Sequence, residues 1–114
     1  LPTHTLWQEA NALNVPVHAV QTTRHTGTLP QTHSFAAVSD PRFAVTALKR
    51  AEDGDGFILR GYNESESEIA VTVETALPHD RAELVTLEEL PTGEPLTGLR
   101  FTARPKQIVS IRLR

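Results

Sequence analysis

The chain has no Cys and no Met, and among its 114 residues only one Trp, one Tyr and four Phe. Without Cys there is no disulfide framework, no thiol nucleophile and no thiolate metal ligand, which argues against a small secreted scaffold stapled by cross-links. The lack of Met, with Leu1 at the start, leads us to expect a piece cut from a longer polypeptide. No apolar run approaches the ~18 residues of a membrane-spanning helix, and no basic-then-apolar leader opens the chain. Formal charge is -3, which favours neither nucleic acid nor an anionic membrane as partner. A chain of this length fits one domain.

The charges present are unevenly placed. Twelve of the fourteen carboxylates fall between Glu52 and Glu94, whereas Arg100, Arg104, Lys106, Arg112 and Arg114 crowd the end. Strands of opposite sign pairing across a sheet surface explain this; an acidic partner is the alternative.

Residues 1–40 differ from the rest and are expected to pack on the domain formed by 41–114. Leu6, Ala10 and Leu13 share one helical face, predicting a short helix over Thr5 to Leu13, capped by Thr3 or Thr5 and stopped by Pro16. From Pro16 to Pro30 a Thr-, His- and Gln-rich stretch predicts a loop, or an edge strand near Val17 to Thr22. In His33 to Ser39, Phe35 and Ala37 are expected on one side.

After Pro41 the period becomes two. Phe43, Val45 and Ala47 alternate with Ala44, Thr46 and Leu48, a strand apolar on both faces. Glu52-Asp53-Gly54-Asp55-Gly56 predicts a tight hairpin turn into Phe57–Tyr62. Strands are also predicted over Ile69–Glu74, Ala82–Leu87 and Leu99–Arg104, with Pro91 to Gly98 a long turn. In the last strand Val109, Ile111 and Leu113 should face inward, and Ser110, Arg112 and Arg114 outward. Together these predict an all-β fold, an antiparallel β-sandwich with a short N-terminal helix or irregular segment.

Catalytic chemistry is hard to find. A retaining glycosidase needs two carboxyl groups about 5–5.5 Å apart, but the carboxylates here sit in turns or on polar strand faces. His4, His18, His25, His33 and His79 show no metal-ligand spacing, so no metal site is expected. Asp53-Gly54-Asp55 begins like a calcium loop, yet Phe57 and Ile58 stand where a ligand and a Gly belong. No Ser has the surroundings of a nucleophile. Three residues remain as candidates for binding a sugar: Trp7, whose plainer reading is an anchor for the N-terminal segment, Tyr62, whose plainer reading is the end of an amphipathic strand, and Arg60 two residues before it.

The wording Ala47-Leu48-Lys49, then an acidic turn, then Leu59-Arg60-Gly61-Tyr62-Asn63 resembles the C-terminal β-domain of family 38 glycoside hydrolases, the α-mannosidases. Asn14-Val15-Pro16, the strand Ile69 to Val73, Thr86-Leu87-Glu88-Glu89 and Gln107-Ile108-Val109-Ser110-Ile111 extend the likeness. The resemblance implies a non-catalytic β-sandwich that buttresses an absent catalytic domain of a retaining enzyme cleaving α-mannosidic bonds. That absent part would carry the catalytic residues and a divalent metal such as zinc; no catalytic residue and no cofactor is expected in this chain. The implied partners are the other domains of the same polypeptide and, for the parent enzyme, a carbohydrate, with no nucleic acid and no membrane. An Arg-rich, Lys-poor, Cys-free composition suits a bacterial, cytoplasmic enzyme. Gly61 departs from the larger side chain expected there, which should weaken strand packing. A free-standing carbohydrate-binding module and an immunoglobulin-like interaction domain are the competing readings. Docking further predicts a contiguous exposed apolar patch.

Overall fold

A computed structural model describes residues 2–114. Among the described residues one helix, α1 (Thr3–Asn14), precedes eight strands: β1 (Ala36–Val38), β2 (Phe43–Arg50), β3 (Phe57–Asn63), β4 (Ile69–Thr75), β5 (Ala82–Val85), β6 (Pro91–Pro95), β7 (Arg100–Ala103) and β8 (Ile108–Leu113). They form a three-stranded sheet, β1-β4-β7, and a five-stranded sheet, β2-β3-β8-β5-β6. Every strand pair is antiparallel. The fold is the all-β sandwich expected from the alternation.

The core lies between the sheets. Phe43, Leu59, Val109, Ile111 and Leu113 from one sheet meet Ile69, Val71, Val73, Phe101 and Ala103 from the other. Phe43 and Phe101 meet edge to face at 5.2 Å between ring centroids. Each buried Leu- or Phe-sized side chain stabilises by about 1.5–3 kcal/mol, so a one-residue slip would be heavily penalised.

The structure differs from the sequence expectations at definite places. The helix begins at Thr3, with Pro2 at the cap position and no side-chain cap. Pro2 is extended there, at φ -60° and ψ 146°, and its carbonyl accepts from Thr5 N and Leu6 N to open the helix. Of the two readings offered for Pro16 to Pro30 the loop holds and the edge strand does not, since Val17–Thr22 is exposed coil. In β1 the phase is reversed: Ala36 and Val38 pack on the core and Ala37 is exposed. A bulge between Val45 and Ala47 breaks the row in β2. Beyond it Ala47 pairs with Arg60 on the outer face, while Leu48 pairs with Leu59 on the core side.

Pro91–Pro95 is a strand rather than a turn. It sits at the sheet edge, where missing N–H groups leave no ladder bond unmade. Ser110 and Arg112, expected to face water, are only 3% and 4% exposed. The cover comes from the chain's own turns. Leu87 O accepts from Arg60 Nη2 at 3.0 Å, and Asp55 O accepts from Arg112 Nε at 3.0 Å. Under these turns Ala51, Ile58 and Val85 form a second, smaller apolar cluster. Helix α1 packs against β2 but buries none of its residues.

Candidate functional site

Alternation along β3 puts Arg60 and Tyr62 on the outer face of the five-stranded sheet, away from Leu59 and the core. Arg60 is engaged within the chain: Nε donates to Ser110 Oγ at 2.8 Å, and Nη2 to Leu87 O. Tyr62 is half-buried and its hydroxyl donates to Glu64 Oε1 at 3.0 Å. Burial first, then this hydrogen bond to a carboxylate, pushes the Tyr62 hydroxyl above its ordinary range. That is the opposite of activation. Trp7 is half-buried on α1, and among the described residues its ring pairs with no other aromatic. Among the described residues Trp7 and Tyr62 thus make no ring-to-ring contact, and Arg60 and Tyr62 are each tied to groups of the chain itself.

Several of the charged residues are tied into locks that hold turns in place. Arg112 Nη2 lies 2.6 Å from both Asp53 carboxylate oxygens. This bond from the guanidinium chiefly holds the Asp53 carboxyl below the usual range, helped by the Asp55 N–H. Arg114 bridges Asp55 at 3.3 Å and Glu83 at 3.2 Å. The acidic turn that begins like a calcium loop thus binds Arg112 of β8 and Arg114 just beyond it.

A second lock joins two turns. Glu89 is 8% exposed and has φ 68°, a left-handed conformation uncommon for a side-chain-bearing residue. Its Oε1 accepts from Glu52 N at 3.0 Å and its Oε2 lies 3.2 Å from Lys49 Nζ. Burial raises the Glu89 carboxyl, but the Glu52 N–H and Lys49 outweigh it, and the net shift is downward.

Asn63 and Glu64 are the polar residues that pattern reading passed over; they are 0% and 3% exposed. Their apolar-in, polar-out setting carries no warning that a loop will fold over them. Lys106 Nζ donates to Glu64 O and pairs with Glu66 at 3.2 Å. Among the described residues, no three His, Cys, Asp or Glu side chains gather as a metal site. No described helix is long and apolar enough to cross a membrane.

An antiparallel sandwich whose polar face is an array of turn-to-strand locks defines the class first, a β-sandwich module. The profile of the glycosyl hydrolases family 38 C-terminal beta sandwich domain matches residues 42–111, and the chain belongs to that family. Among solved structures it is similar to a protein in the glycosyl hydrolase family 38 from Enterococcus faecalis, at 23% identity and a TM-score of 0.79. That likeness covers 97% of this chain and 13% of the other. No curated protein matches the chain.

Proposed function

We propose that this chain is the non-catalytic C-terminal sandwich of an α-mannosidase, buttressing a catalytic domain elsewhere in the same polypeptide. The observation that carries the reading is the family match over residues 42–111, joined to a polar face whose charges are used to lock turns onto strands. Arg60 and Tyr62 each make hydrogen bonds within the chain, which favours a structural role over a sugar-binding one. In this reading a divalent metal of the parent enzyme, such as zinc, belongs to the catalytic domain rather than to this chain. The parent is read as a bacterial, cytoplasmic enzyme acting on a carbohydrate with retention.

The test is hydrolysis of an aryl α-mannoside, with and without added zinc. The full-length polypeptide should release chromophore and the purified chain alone should not. Turnover by the chain alone that is lost on substituting one of its carboxylates would overturn the structural role. A full-length protein that cleaves a different glycoside and no α-mannoside would overturn the substrate assignment.

A further inference from the structure

The N-terminal arm is unlike a solvated linker. Residues 10–39 carry a single formally charged side chain, Arg24, out of the chain's eleven Lys/Arg and fourteen Asp/Glu. Every residue from Ala10 to Phe35 is exposed. Its apolar members are among the most exposed in the molecule: Val17 at 96%, Val20 at 87% and Leu13 at 83%. Among the described residues, none from 16 to 34 takes part in a backbone–backbone hydrogen bond.

Chains that stay extended in water are usually rich in charge and poor in apolar residues. Depletion of charge around apolar side chains is instead the mark of an interface core. A coil of this length without secondary structure is seldom idle in a compact domain. The covering surface has an identifiable source. The likeness to the solved family 38 protein takes in 97% of this chain, arm included, yet amounts to 13% of that longer one. That protein therefore has ample further chain beyond the part that this one matches.

We propose that residues 13–29 form a docking strap that seats Leu13, Val15, Val17, Val20 and Leu29 in an uncharged, apolar groove on another domain of the same polypeptide. The inference rests on the reading of this chain as one docked domain of a larger enzyme, and it identifies the arm as the docking element.

Arg24 supplies the probe, because it is the only Lys or Arg before Arg42. The full-length polypeptide is treated with trypsin under native conditions and cleavage after Arg24 is followed by mass spectrometry. Cleavage in the wild type should be at least about tenfold slower than in the variant V17D/V20D/L29D. Equal rates would overturn the proposal. Protection that disappears on dilution would assign the arm to a second copy and would also overturn it. Should the triple variant fail to fold, amide exchange of residues 16–34 in the wild type decides: protection supports the strap, and exchange at random-coil rates refutes it. Mannoside hydrolysis in the same samples separates the two readings. Protection without hydrolysis supports the strap and removes the substrate assignment, whereas hydrolysis with a freely cut Arg24 does the reverse.

Discussion

The ring of Phe43 fills the space that a side chain at residue 61 would need. A Cβ on Gly61 would lie 2.5 Å from Phe43 Cε1 and 2.5 Å from the Ala44 carbonyl oxygen. The larger side chain expected from the family resemblance would not fit. Glycine strengthens packing here, because its bare Cα lets β2 and the Phe43 ring close over β3.

Gly61→Ala should therefore destabilise the fold by about 3 kcal/mol, the upper end for an overpacked core, because one of the clashing atoms is backbone. The φ of Gly61 is not positive, so the effect is steric rather than conformational. Urea unfolding of the full-length protein, followed by a probe in this domain, measures it. A loss below 1 kcal/mol would contradict the packing.

Asn63 ties three segments together. The two N–H bonds of its Nδ2 are shared among Ser67 O, Ala103 O and Arg104 O, at 2.6, 3.1 and 3.1 Å, and its Oδ1 accepts from Ser65 N at 2.9 Å. Asn63→Ala should lose about 2 kcal/mol through unsatisfied buried carbonyls. Asn63→Asp should lose more, because an acceptor would face three carbonyl oxygens. Equal stability of the Asp variant and the wild type would rule this arrangement out.

The Asp53–Arg112 lock makes stability depend on pH. The folded carboxyl sits below its ordinary value, so its contribution is present above the unfolded value and lost as pH falls through the folded one. Asp53→Asn should lower the thermal midpoint at neutral pH, with the gap to wild type narrowing in acid. A gap constant from neutral to strongly acidic pH would show that the charge is not what matters.

Ile58 tests whether the outer face is truly covered. It is 0% exposed although it lies opposite the main core, whereas Leu87 in the overlying turn is 59% exposed. Ile58→Ala should lose about 2–5 kcal/mol, as a core truncation does. Leu87→Ala should stay within about 0.5 kcal/mol of wild type. Similar small effects at both sites would mean that the turn opens freely.

The period-two rows from Phe43 onward, the Gly-rich turn at Gly54 and Gly56, and the alternation of Leu99, Phe101 and Ala103 with Arg100 and Thr102 were enough to reach a sandwich. Alternation is a local consequence of the pleat, so it survives in sequence. The family was equally legible, in wordings of strands and turns. What only the tertiary structure decided is where that local rule is broken by something distant in the chain. The bulge after Val45 exchanges the faces of Ala47 and Leu48, a choice made by pairing with β3. Pro91–Pro95 becomes a strand because β5 leaves an edge beside it. Arg112 is buried because Asp53, 59 residues away, folds over it. Gly61 is required by Phe43 on the neighbouring strand. A side chain's own residue type sets which face suits it; whether that face meets water is set by what the rest of the chain lays across it.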